Sequence, residues 1–148
     1  MPIREWKETD IDHVIGLLNE LNEALKEDQQ IVKKNVEDHY FIMQKNKEIY
    51  MNFVYEEKGK CIGFISMICY RSIYHKKGTA LINELVVSKE HRNQGIGEKL
   101  LEHCIKIAKK SQMDEIEVGV MKENIKAINF YKKHGMNEEC YLLGMDFE

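Results

Sequence analysis

The sequence predicts an α/β (α+β) chain: a single mixed, mostly antiparallel central sheet of about six to seven strands, with helices on both faces. Three observations carry this. Residues 49–87 hold three consecutive apolar runs, IYMNFVYEE, CIGFISMICYRS and TALINELVV, joined by the short connections EKGK and IYHKKG, which is the pattern of an antiparallel meander. Apolar residues recur at helical spacing over 11–25 and again over 96–108. After Ser88 the order becomes helix, strand, helix, strand, so the sheet has to be mixed.

The elements follow in order. PIREW alternates apolar and polar residues as a short strand does. TDIDHVIGLLNELNEALK places Ile11, Val14, Ile15, Leu18, Leu21 and Leu25 on one helical stripe, and Thr9 followed by Asp12 has the pattern of an N-cap. A weaker helix is expected over 32–46, before the meander. In the next helix Ile96, Leu100, Leu101, Cys104, Ile105 and Ala108 make an apolar stripe, with Glu98, Lys99, Glu102 and Lys106 around the other side. EIEVGV reads as a strand. NIKAINFYKKHG reads as a helix, with Asn124 as its N-cap and Gly135 placed for a left-handed stop. ECYLLGMDF is expected as the last strand. The lone proline is Pro2 and no stretch resembles a linker, so residues 1–148 are expected to form one domain.

Composition narrows the function. A net charge of -3 with 32% charged residues describes an ordinary solvated surface and argues against a nucleic-acid partner. No apolar run approaches the ~18 residues of a membrane span, and the N-terminus has no apolar core of a signal peptide. The four cysteines form no C-x-x-C pair, and three of them lie in apolar runs. The six histidines show no H-x-x-x-H spacing, so no metal site is expected. The plain expectation is a cytoplasmic protein.

Chemistry concentrates at HRNQGIGEKLL, residues 91–101, directly after the strand run LINELVV. A strand that turns tightly into a helix aims free backbone N–H groups and a positive dipole end at one point, which suits an anion. Glycines let the backbone approach that anion closely, and Arg92 adds a fork matched to phosphate oxygens. The alternative is a plain turn in which Gly97 packs the helix onto the sheet. Leu100 stands where a dinucleotide-binding fingerprint needs its third glycine, and no P-loop run occurs. In the later helix Asn124, Ala127, Ile128 and Tyr131 share one face. Tyr131 reads either as a group facing a ligand or as a core aromatic.

VVSKEHRNQGIG resembles the pyrophosphate-binding motif of the GNAT superfamily of acyl-CoA N-acyltransferases, with the motif's arginine and two glycines on Arg92, Gly95 and Gly97. KENIKAINFYKKHG resembles the same family's second cofactor-facing helix, supplying Asn124, Tyr131 and then Gly135. The order of elements matches along essentially the whole chain. The resemblance implies acetyl-CoA as cosubstrate and no metal. It places the acetyl-CoA against Leu85, Val86, Val87, Arg92, Asn93, Gln94, Gly95, Ile96, Gly97, Asn124 and Tyr131. It also implies an N-acetyltransferase in which an amine attacks the thioester directly. The thioester oxygen then needs a backbone N–H from the region of Leu85 to Val87, and the leaving thiolate needs an acid, for which Tyr131 is the candidate.

Glu84 is the candidate at the amine end, because a carboxylate within LINELVV is costly unless it is paired or faces a cleft. INELVV resembles the I-E-D-L/F-x-V segment of small-amine members, with Asn83 where their first acid stands. Glu84 therefore stays open as a base, an orienter of the amine, or one half of a salt bridge to Lys76 or Lys77. His75 is a second residue for the acceptor side. Glu20, Glu23, Glu27 and Asp28 suit a cationic acceptor or simply a solvated helix face. The acceptor expected is a small primary amine, polyamine- or aminoglycoside-like. A peptide or protein N-acetyltransferase and a non-catalytic acyl-CoA-binding domain remain as alternatives. No membrane partner is expected, and family habit implies a homodimer paired through the C-terminal strand.

Overall fold

A computed structural model describes residues 2–147. Strands β1 (Ile3–Glu5), β2 (Tyr50–Glu57), β3 (Lys60–Arg71) and β4 (Gly78–Val87) pair antiparallel in that order. β5 (Glu115–Val118) lies beside β4 in parallel. The β2–β3 hairpin turns through Lys58 and Gly59, whose φ values of 52° and 76° give a two-residue turn with the twist of the strands it joins. The parallel step from β4 to β5 needs a crossover, and helix α3 (Ile96–Lys110) supplies it.

Helices cover both faces of the sheet. Helices α1 (Ile11–Leu25) and α2 (Lys33–Gln44) close one side, where Trp6, Val14 and Leu17 pack on Val54, Phe64 and Val86, with Val36 and Tyr40 alongside. On the other face Ile96, Leu100, Leu101 and Cys104 of α3 pack on Phe53, Ile65, Met67 and Ile82. Burying each large apolar side chain is worth about 1.5–3 kcal/mol, so this stripe holds α3 in place across the sheet. The last helix, α4 (Ile125–Lys133), adds Phe130 and Tyr131 at the margin of that cluster.

One irregularity sets the faces of β4. Ser66 pairs with Glu84 and Met67 with Ile82, so Asn83 is an extra residue, a β-bulge. Side chains alternate along a strand, and one added residue reverses every face after it. Ala80 and Ile82 accordingly belong to the α3 cluster, whereas Val86 belongs to the α1 cluster. Glu84, in phase with Val86, is turned toward the side of α1 and α2.

The structure corrects three expectations. Among the described residues the sheet has five strands, fewer than the six to seven expected. The run ECYLLGMDF, residues 139–147, is not a strand, because it lies beside no neighbour that supplies a ladder, and Tyr141, Leu142, Leu143, Met145 and Phe147 are 80–92% exposed. Thr9 does not cap α1 but lies within a 3-10 turn, Glu8–Asp10, that leads into it. The carboxylate of Asp10 does the fastening. It accepts from the Arg4 guanidinium at 2.8 and 3.0 Å, the Lys7 N–H at 2.7 Å and the Cys61 thiol at 3.2 Å. A threonine hydroxyl has no charge with which to draw Arg4 in.

Asp10 is 4% exposed. Burial alone would raise its pKa, but the bonds from Arg4, Lys7 and Cys61 outweigh burial and hold it below the usual carboxylate value. Its stabilisation is therefore complete above the unfolded value of about pH 4 and is lost as pH falls through the lower folded value. Asp10→Ala is expected to cost about 2–3 kcal/mol at neutral pH. In urea titrations the gap from the parent should narrow as pH falls below the unfolded carboxylate value of about 4.

Candidate functional site

The parallel ladder is short. It runs from Thr79↔Glu115 to Ile82↔Val118 and stops, while β4 continues to Val87 with no strand among the described residues beside it on that edge. Past the bulge, the backbone at 83–87 is thus open toward the side where β5 has ended. Both α3 and α4 begin at this same end of the parallel pair, one after β4 and the other after β5. A crevice at the carboxyl ends of parallel strands, between two helix starts, is where open sheets of this kind take ligands.

The turn before α3 is built for a tight reversal. Asn93 and Gly95 both adopt left-handed backbone, with φ of 62° and 78°. Gly95 stands at the N-cap of α3, and no side chain caps the helix there. The first N–H groups of α3 are left to an outside acceptor, and a helix start in this state favours an anion. Arg92 is exposed, and its Nε donates to the Val87 carbonyl at 3.1 Å. That bond spans the turn and leaves the rest of the guanidinium fork beside the helix start. Asn93 and Gln94 are exposed on the same turn, and Ile96 is buried beneath it.

Gly97 is not there for close helix–sheet packing. A Cβ placed on it would lie 3.7 Å from Val87 Cγ2 and 3.8 Å from Phe130 Cζ, which is ordinary contact. The same distances show that the first turn of α3 lies against Phe130, next to Tyr131. The glycine turn and the α4 motif, about thirty residues apart in sequence, therefore meet across this space.

Asn124 caps α4, its Oδ1 accepting from the Ala127 N–H at 3.2 Å, and only its Nδ2 remains for another partner. Tyr131 packs edge-on against Phe130 with ring centroids 5.2 Å apart. Its hydroxyl has no hydrogen-bond partner among the described residues. Burial pushes its pKa up to about 12, so it is protonated throughout the neutral range.

Leu85 and Val87 pack toward the α3 side, Val86 toward α1. Glu84 is half-buried, and its carboxylate accepts from the Ser66 hydroxyl, whose oxygen in turn accepts the Glu84 N–H at 3.2 Å. Ser66, 7% exposed, is a partner that the sequence does not single out; its one signal there is a lone serine within the apolar run CIGFISMICY. Lys77 donates instead to the Ser111 carbonyl at 2.8 Å, and among the described residues no lysine pairs with Glu84. His75 lies apart from this group. Its Nε2 is 3.3 Å from Glu115, opposite the start of β4, and Thr79 to Glu84 spans roughly 16 Å of strand. Of the four acids, Glu20 and Glu23 lie on α1 and Glu27 and Asp28 beyond its end, and Glu23 pairs with Lys89 at 3.0 Å, just past the end of β4.

Among the described residues no helix is long and apolar enough to cross a membrane. An N-acetyltransferase of Methanocaldococcus jannaschii without assigned substrate is 38% identical over 93 residues, covering 62% of this chain and 41% of that protein. Streptothricin acetyltransferase A of Bacillus subtilis is 35% identical over 82 residues, covering 55% of this chain and 44% of that protein. The chain thus matches less than half the length of either relative. Among solved structures, a putative acetyltransferase from Agrobacterium tumefaciens shares the fold with a TM-score of 0.86 at 16% identity, over 99% of this chain and 100% of the other. The profile of the acetyltransferase (GNAT) family matches residues 17–136, which takes in α2, the whole β2–β4 meander, the glycine turn and α4. That match spans well over half of the chain, so the chain belongs to the acetyltransferase (GNAT) family.

Proposed function

We propose that the chain moves an acetyl group from acetyl-CoA to the primary amine of a small molecule, by direct attack while both substrates are bound. The observation that carries this is the break in the β4–β5 ladder beside the uncapped start of α3. Residues present there fit a pyrophosphate: free helix N–H groups, the Arg92 fork, and a glycine at 97 whose missing Cβ the protein itself has room for. The open backbone of Leu85 to Val87 lies where a thioester arm needs N–H donors.

Each residue has one task. Arg92, Gly95 and Gly97, with Asn93, Gln94 and Ile96 of the same turn, bind the phosphates. Asn124 offers its Nδ2 from the start of α4. The backbone N–H groups of Leu85 and Val87, which alternate away from β3 while that of Val86 faces it, stabilise the charge that grows on the thioester oxygen. Glu84, held by Ser66 on the α1–α2 side, orients the amine and helps it shed a proton. An alkylammonium has a pKa of about 10.4, so only a trace is neutral near pH 7. As the new N–C bond forms and the C–S bond breaks, Tyr131 faces the sulfur and donates to it. The amine's proton leaves through Glu84 or water.

The small-amine class is supported by the likeness to streptothricin acetyltransferase A and by a carboxylate on the acceptor side. The free cysteines suit the reducing cytoplasm. Thiol release measured with a panel of polyamines, aminoglycosides and peptides tests the class. Release with peptides alone would contradict it.

Two expectations follow for variants and assembly. Glu84→Gln should lower turnover about tenfold or more while acetyl-CoA affinity stays within a few-fold of the parent. Turnover equal to the parent across the pH range would return Glu84 to a structural role. The exposed apolar run at 141–147 is of the kind that marks a contact surface, and we assign it to a second copy of the chain. Light scattering should then give twice the 17.5 kDa chain mass, and a monomer at micromolar concentration would refute the dimer.

A further inference from the structure

Outside the proposed site, one cluster joins the two helices that flank it. Glu98 and Glu102 stand one turn apart on α3, and His134 ends α4. One ligating atom from each lies within 4.8 Å of the other two. The histidine is the informative member. Its side chain is 9% exposed, and its Nε2 is buried with no hydrogen-bond partner.

The ring's tautomer follows from its other nitrogen. Nδ1 lies 2.8 Å from the Phe130 carbonyl oxygen, which can only accept, so Nδ1 carries a proton. In the neutral ring the lone pair is then on Nε2, aimed at Glu98 Oε1 only 3.4 Å away. A lone pair facing a carboxylate is repulsive unless a positive charge lies between them. A backbone carbonyl that fixes the far nitrogen is the usual outer support of a metal-ligating histidine. The spacing also fits: two arms of about 2.1 Å meeting at the tetrahedral angle span about 3.4 Å. Glu102 is exposed and can close the remaining distance by rotating its side chain.

We propose that Glu98, Glu102 and His134 bind a divalent ion of the zinc class, with water completing its coordination. The donor set of one imidazole and two carboxylates suits Zn²⁺ or Co²⁺ better than Mg²⁺ or Ca²⁺, which favour all-oxygen shells. The ion's place is structural: it ties the first turns of α3, beside Gly97, to the end of the helix that carries Tyr131. The sequence hid the site because its ligands lie 36 positions apart and contain a single histidine.

Zinc chloride titrated calorimetrically into Cys140→Ser protein tests this, the substitution removing the exposed thiol as a competing ligand. Saturable one-to-one binding in the micromolar range is expected, weakened at least about tenfold by His134→Gln and by Glu102→Gln. Glu102→Gln alters only an exposed side chain, so it decides the matter if His134→Gln fails to fold. A protonated His134 in a simple ion pair with Glu98 makes the opposite prediction. No saturable binding up to about 1 mM zinc, or a folded variant that binds within tenfold of the parent, overturns the site.

Discussion

Tyr131→Phe is expected to lower turnover about 10²-fold or more while the melting temperature hardly moves. The substitution keeps the ring and its packing on Phe130, and removes a hydroxyl with no partner among the described residues, so no protein hydrogen bond is lost. The size of the effect follows from the pKa. A phenol raised to about 12 by burial is a much weaker acid than an ordinary thiol of about 8.5. Complete proton transfer to a free thiolate would be uphill by about 5 kcal/mol, so in the proposed mechanism the hydroxyl would act mainly by bonding to charge as it grows on sulfur. That places the loss near the lower end of the 10²- to 10⁴-fold range usual for general acids. The sign of the pH dependence also follows. The protonated form is the working one and is lost only as pH rises toward 12, so Tyr131 adds no falling limb below about pH 9. Preserved turnover with a lower melting temperature would make Tyr131 a core residue instead.

Gly97→Val should weaken acetyl-CoA binding about 10- to 100-fold with the fold intact. At this position a Cβ meets Val87 and Phe130 at ordinary contact distance, and the two further methyls of valine add bulk beside the helix start where the phosphates are proposed to lie. Filling a close-fitting site in this way costs about 1–3 kcal/mol, which is the stated loss in affinity. Gly97→Ala sharpens the test. Alanine favours the helix by up to about 1 kcal/mol, so stability should hold or rise while affinity falls. Gly95 serves less well, because its left-handed backbone makes any substitution strained. Calorimetry on folded Gly97→Val that shows unchanged binding would sink the phosphate cradle.

Much of this was legible in the sequence because local signals and tertiary packing agree. The α3 stripe of Ile96, Leu100, Leu101 and Cys104 is buried as its spacing predicts. The Lys58–Gly59 turn sets the first hairpin, and Asn124 caps α4. What stayed hidden depends on pairing between distant segments. The bulge at Asn83 shows only in the register between β3 and β4, and it alone turns Glu84 toward Ser66 and away from the α3 face. Asp10 displaced Thr9 as the residue that fastens the start of α1 because Arg4 and Cys61 reach it across the fold. The run 139–147 has strand composition, but composition cannot supply the neighbouring edge that makes a strand.

In the proposed mechanism this crevice brings acetyl-CoA and an amine together in one complex. Initial velocities measured over a matrix of acetyl-CoA and amine concentrations test it most directly, with thiol release and acetylated amine followed in parallel. Equal amounts of the two products and intersecting double-reciprocal lines are expected, lost together in Tyr131→Phe. Parallel lines, or a folded protein that binds acetyl-CoA but releases thiol no faster with any amine in the panel, would contradict it.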